Sequence, residues 1–338
     1  MQGEIFRAIL EALTLTEQWR QEENTMRFSA HSFFPGEQAL RNMVKSSSRG
    51  ASTTIHGTVV AMVLVGLVSL SRVDAEQVDS SQVMPGRLVL VGAITLGTAA
   101  AVHIYQARAW WQGQRSPFRF ENDWDYAMNI DKLGHAYGAY TLSHLFTYSM
   151  DWGGLSHSTS IYYGSVLGLA YQLYVEVEDG FHRDYGFSPG DAFSDVVGAS
   201  IPLAQERFPV LKNFSLKWSY SPSTEYVDAV RAGVGRVFID DYQGQTYYIT
   251  MDPHFLMGDH PPQWIPSWLG VGFGFAVRDM ENAETRHRRY VFALDYNFSR
   301  IDTDSGFLKA LFTALDHFHL PAPGIVLERS TVKFRLAY

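Results

Sequence analysis

Apolar positions along this chain change period once, near residue 214, and that change divides it. Before it, apolar residues come in long runs at 55–70, 88–105, 136–150 and 161–175. Runs of that length suit helices and exceed ordinary strands. After it, large apolar residues alternate with small or polar ones. Tyr290, Phe292, Leu294, Tyr296 and Phe298 alternate with Val291, Ala293, Asp295 and Asn297. Val271, Phe273, Phe275 and Val277 alternate with Gly272, Gly274 and Ala276, and Val332, Phe334, Leu336 and Tyr338 with Lys333, Arg335 and Ala337. This period of two predicts strands over 246–251, 269–277, 290–298 and 331–338. A helix is expected near 307–318, and Pro261-Pro262 and Pro321-Ala322-Pro323 mark loops.

The pattern therefore predicts an α+β fold. A helical bundle of about four to five helices over residues 87–210 precedes an antiparallel β domain over 214–338. An aromatic at the end of an alternating last strand raises the alternative of a barrel-like closure. The β region is long enough for about six strands, and a closed membrane barrel needs about eight. An open antiparallel sheet with one face packed on the bundle is the expected form.

The N-terminal part reads differently. Residues 4–21 fit an amphipathic helix. Lys45 and Arg49 then precede the apolar run 55–70, which ends in Ser71-Arg72-Val73-Asp74-Ala75. A basic segment, an apolar run and a small-x-small ending are the parts of a secretory signal peptide, with cleavage after Ala75. On that reading Met43 is the start and residues 1–42 are an over-extension of the reading frame. The alternative for 43–75 is a single membrane anchor, short for a span. Residues 88–105 fit either a buried helix or a marginal span, and the aromatic loop 117–124 fits a cover over the bundle mouth or a membrane interface.

Composition adjusts this picture. Charged residues are 18% and aromatics 14%, a balance that suits a protein beside a membrane. A net charge of −8 without a basic stripe argues against nucleic acid as a partner. Cysteine is absent, which removes disulfides, thiolate metal sites, cysteine nucleophiles and an acyl thioether from consideration within this sequence.

Ionisable groups set into the apolar bundle segments need partners or a task, because burying them alone is costly. Asp131, Lys132 and His135 fall on nearly one side of a helix start, and Glu176 and Asp179 stand at i and i+3 at a helix end. Ser188-Pro189-Gly190-Asp191 has the form of a helix N-terminus, with Ser188 as cap and Asp191 at the capping-box position. Asp195 lies four residues on, and like charges at that spacing repel. A cation, a shared proton or Lys132 opposite would relieve this, with Arg183 as a second cation. Asp131, Lys132, His135, Glu176, Asp179 and Asp195 thus stand without a local structural reason. Gly134 and Gly138 predict close approach of another helix.

Three chemistries fit these residues. A salt-bridged network is the favoured one. His135 oriented by Asp131, with Glu176 or Asp195 as a second carboxylate, would make an acid–base centre. An oxygen-rich metal site would take Mg²⁺, Ca²⁺ or Mn²⁺ in preference to zinc. No cofactor is expected, with Mg²⁺ or Ca²⁺ the ions to consider otherwise. The sequence has no phosphate-binding loop, G-x-S-x-G elbow or H-E-x-x-H pair, and Gly270-x-Gly272-x-Gly274 belongs to a strand.

The order Asp131-Lys132-x-x-His135, Glu176-x-x-Asp179, then Ser188-x-x-Asp191-x-x-x-Asp195-x-x-Gly198-Ala199 resembles the YfiM-like family. These are predicted bacterial periplasmic or outer-membrane-associated proteins of unknown function, and the resemblance covers about residues 105–200. The order is also a looser match to VanZ-like membrane proteins. The resemblance implies a cell-envelope protein of a Gram-negative bacterium, periplasmic or associated with the outer membrane, the inner membrane being the alternative. Membrane or envelope lipid would be its partner, and its role structural or accessory. An enzyme of envelope lipid or cell-wall metabolism and a VanZ-like integral bundle are the other readings. Many members are lipoproteins, and this sequence lacks the cysteine that such an anchor needs.

Overall fold

Four long helices come before the chain turns to strands. The computed structural model describes residues 83–335, apart from 114, 235–236, 258–261 and 263. The expected helix at 4–21 and the export signal at 43–75 lie outside the described residues. The helices are α1 Pro85–Ala109, α2 Ile130–Trp152, α3 His157–Gly180 and α4 Pro189–Arg207.

Helix α2 is central and packs on both α3 and α4. Small residues set the spacing. A Cβ added to Gly168 on α3 would stand 2.8 Å from the Ser143 amide nitrogen, and one on Gly198 of α4 only 2.0 Å from the Ala136 carbonyl oxygen. The buried seam is polar and partly satisfied from within α2. Ser143 Oγ and Thr147 Oγ1 donate back to Ala139 and Ser143 carbonyls on their own helix, each at 2.7 Å. Large apolar side chains point the other way: Tyr162, Tyr163, Val166 and Val177 of α3 and Phe193, Val196 and Val197 of α4 are exposed. An amphipathic helix at a water-facing surface has the opposite arrangement. Gly138 meets the Gln172 side chain of α3, but Gly134 faces Tyr247 of the sheet and not another helix.

Helix α1 stands at the side. Its best window has mean hydropathy 1.9 and none of that window is buried, so it is not the buried core helix that was one expectation; by length and composition it is long and apolar enough to cross a membrane. It joins α2 at its first turn, where the Met84 amide donates to the Gly153 carbonyl at 2.9 Å and Arg87 lies over the Trp152 ring.

The sheet contains β1 Phe214–Tyr220, β2 Gln245–Met251, β3 Leu269–Arg278, β4 His287–Tyr296, β5 Gly324–Glu328 and β6 Thr331–Arg335. Each strand pairs antiparallel with the next in sequence order, and the sheet does not close into a barrel. Two short helices, α5 Thr224–Arg231 and α6 Gly306–Leu315, interrupt the meander. Strands β1 and β5 were not among the four expected, and β4 begins and ends earlier than expected.

The two sheet faces differ. On one, Trp218 and Tyr247 pack on Tyr137 of α2, with ring centroids 6.3 and 5.7 Å apart. Farther from the bundle the same face presents Phe273, Phe292, Ile325 and Phe334 to the outside. The other face is lined by Gly272, Gly274, Ala293 and Asp295 and covered by residues 317–323. That segment is pinned by hydrogen bonds from the Trp218 amide to the His317 carbonyl and from the Leu294 amide to the Pro323 carbonyl. His319 stacks flat on Tyr248 at 3.8 Å. Beneath it Lys217, 2% exposed, pairs with Asp295 at 2.9 Å and Asp316 at 3.4 Å.

Candidate functional site

The expected polar residues gather at one end of the bundle, where α2 begins, α3 ends and α4 begins. A strained turn leads into α2: Ala127, Met128 and Asn129 have φ of 46°, 58° and 74°. Left-handed backbone costs an L-residue about 1–2 kcal/mol, so packing must hold this turn. Ala127 and the fully buried Ile130 sit in a small core with Val277, while Arg288 of β4 donates to the Met128 carbonyl and the Asn129 side chain. Asn129 Nδ2 also donates to the Trp124 carbonyl at 2.6 Å. The sheet thereby fixes the helix start that carries Asp131, Lys132 and His135.

Lys132 is the hub. Its buried ammonium lies 2.8 Å from Asp191 Oδ1, 2.9 Å from Asp123 Oδ2 and 3.1 Å from Asp131 Oδ2. Burial works against its charge, but Asp131, Asp191 and Asp123 outweigh that and hold the ammonium above its ordinary range. Asp123 is likewise held below the carboxylate range, where Ser188 and Lys132 overcome the effect of burial.

His135 occupies the second position. Its Nδ1 is 3.2 Å from Asp195 Oδ1 and 3.7 Å from Glu176 Oε1, and its Nε2 is 3.7 Å from Asp191 Oδ1. Burial opposes its protonation, yet the Asp195 contact and the charges of Asp131 and Asp191 push the imidazole up to about 10. Burial raises the Glu176 carboxyl to about 8, against the pull of His135 and with Asp191 adding to it. Asp191 rises to about 7 for the same leading reason, opposed by His135 and Lys132.

Ser188 caps α4: its Oγ accepts from the Asp191 amide at 3.0 Å and donates to Asp123 Oδ1. The capping-box role expected of Asp191 falls to a residue from another helix. Glu176 Oε2 takes the Ser188 amide at 3.1 Å, which leaves the Asp191 carboxylate free to join Lys132.

Three details correct the sequence reading. Asp131 does not orient His135. It accepts from the Tyr242 hydroxyl at 2.8 Å and pairs with Lys132, while Asp195 faces the imidazole. Arg183 is exposed and, among the described residues, offers its carbonyl to Arg119 and no side-chain contact to the cluster, so it does not act there as the second cation. Asp179 sits one step aside, accepting from Trp111 Nε1 at 2.6 Å, and burial raises its carboxyl to about 6. Asp123, Gln172 and Tyr242 belong to the cluster and were not anticipated. Asp123 stood in the aromatic loop Phe120-Glu121-Asn122-Asp123-Trp124 as one acid among several. Gln172, which donates to Asp195 Oδ1 at 3.2 Å, had only its place on the inner side of a helix to mark it.

In this arrangement the carboxylates outnumber the cations. Asp123, Asp131, Glu176, Asp191 and Asp195 surround one lysine and one histidine. Such a set can retain protons on some carboxyls, hold a further cation, or pass a proton between His135 and a carboxylate.

A family model described as Predicted periplasmic lipoprotein (DUF2279), a family of unknown function, matches residues 120–205, the span that contains the cluster from Asp123 to Asp195. No curated protein and no solved structure matches the chain. The family match shows no similarity to the YfiM-like or VanZ-like groups.

Proposed function

We propose that this chain is a cell-envelope protein seated at a membrane, with a structural or accessory role in which the Lys132-centred network clamps the end of the helical bundle to the sheet. One observation carries this reading: polarity is turned inside out. Serine, threonine and glycine line the contacts between α2, α3 and α4, while Tyr162, Tyr163, Val166, Phe193 and Val197 face outward. Water does not favour such an exterior, and lipid does. Helix α1 is long and apolar enough to cross a bilayer. The ionic cluster sits where α2 and α4 begin and α3 ends.

The periplasmic description of the matched family supports an envelope location, and association with the outer membrane of a Gram-negative cell is the finer reading we adopt. Motif order is the ground for the narrower YfiM-like and VanZ-like kinship. Membrane lipid is the partner this surface fits. Alkaline carbonate extraction of cell envelopes tests the reading. The full chain should stay with the pelleted membranes, and its release into the supernatant would overturn it.

A further inference from the structure

We propose that His135, Glu176 and Asp195 form a site for one divalent cation, with Mn²⁺ the ion their donor set fits. The cluster holds two overlapping groups of ligating atoms, Asp131–His135–Asp191 and His135–Glu176–Asp195, and within each group the atoms lie within 4.8 Å of one another. The first group already has its cation. Lys132 Nζ stands 2.8 Å from Asp191 and 3.1 Å from Asp131. The second group receives no lysine or arginine among the described residues.

Its carboxylates are held from behind. The Ser188 amide binds Glu176 Oε2 at 3.1 Å, which leaves Oε1 facing His135 Nδ1 at 3.7 Å. Gln172 Nε2 binds Asp195 Oδ1 at 3.2 Å. Asp195 is fully buried, and its Oδ2 accepts no hydrogen bond among the described residues. A buried carboxylate oxygen left in that state is costly, and a cation would relieve it. Hydrogen bonds that fix the orientation of a ligating side chain are typical of metal sites. One imidazole nitrogen with carboxylate oxygens and no sulfur suits Mn²⁺ better than Mg²⁺ or Ca²⁺, which favour oxygen alone. A charged imidazole donating to Asp195 Oδ1 is the competing arrangement. It needs no ion, but it leaves Oδ2 without a partner.

The test uses the full chain in detergent, stripped with EDTA and titrated with Mn²⁺. Loss of the free-ion electron paramagnetic signal counts bound ions, and thermal unfolding reports stability. A single saturable ion per chain with a rise in Tm is expected. Glu176→Gln and Asp195→Asn should each weaken uptake by about tenfold or more, while Glu328→Gln, paired with Arg289 in the sheet and outside the cluster, should leave it unchanged. Should Asp195→Asn fail to fold, Gln172→Ala replaces it, with a loss of about tenfold expected from removing an orienting contact. No saturable uptake by the unaltered chain, or uptake that survives these substitutions, would overturn the proposal.

Discussion

At the scale of single residues, charge balance decides the direction in which each carboxyl titrates. In the bundle cluster burial wins at Glu176 and Asp191, which are pushed up, whereas at Asp123 the Ser188 and Lys132 contacts win and hold the carboxyl down. At the edge of the sheet the contacts win as well. Glu328 receives Arg289, His287 at 2.8 Å and Lys333 at 3.2 Å. Burial alone would raise it, but Arg289 and His287 outweigh that and hold its carboxyl down to about 2. A carboxyl depressed in the folded state binds protons more weakly than in the unfolded chain. Its contribution is therefore complete above the ordinary glutamate range and fades as pH falls from about 4.5 toward 2. Glu328→Gln should lower Tm at pH 6 and narrow its gap from the unaltered protein as pH approaches 2.5. Parallel Tm curves for the two proteins across that window would show that the ion cluster contributes nothing. The acids of the bundle were legible in the sequence because charges inside apolar helices stand out. Tyr242 was not, because nothing local to it shows that a chain segment 111 positions away holds Asp131.

Elements carry the next part of the argument. Strands β3 and β4 were legible from large–small alternation, since Gly272 and Gly274 leave room for the Tyr248 ring on the covered face. Strand β1 has the same signal, with Leu216, Trp218 and Tyr220 alternating with Ser215, Lys217 and Ser219. Only the sheet explains why Lys217 on its inner side is tolerated: Asp295 of β4 and Asp316 meet it there. Strand β5, five residues long, is too short to show a period. The helices were legible as apolar runs, but which glycines bring them together was not. Gly134 looked like a helix contact and meets a tyrosine, whereas Gly198 is where α4 touches the backbone of α2. Gly198→Ala should therefore destabilise by about 1–3 kcal/mol or more, because a methyl 2.0 Å from Ala136 O forces the helices apart. Gly92→Ala on α1, where nothing lies within 4 Å, is the control and should leave thermal unfolding unchanged or slightly raised. Equal Tm values for both variants would show that the α2–α4 contact is not tight.

For the whole molecule, the question is how both the helices and the sheet can expose large apolar side chains. The two parts obey different limits in lipid. A helix satisfies its own backbone and can enter hydrocarbon, as α1 can. An open sheet cannot, because its edge strands present unpaired backbone groups, so on the proposed membrane-seated reading β6 would keep the sheet out of the bilayer core even though Val332 and Phe334 are exposed. Its face of Phe273, Phe292 and Ile325 can rest at the interface. The absence of cysteine makes this depth order measurable, since one introduced cysteine takes a spin label without competition. In lipid vesicles Leu96→Cys on α1 should be the most accessible to oxygen and the least to a water-soluble nickel complex. Phe292→Cys should be intermediate, and Glu284→Cys, in the exposed turn before β4, should report water. A Leu96 label in an aqueous setting would detach α1 from the membrane and leave its apolar face to a protein partner. A Phe292 label as deep as that on Leu96 would require the sheet edges to be closed by another chain, which would make the membrane form an assembly of more than one copy.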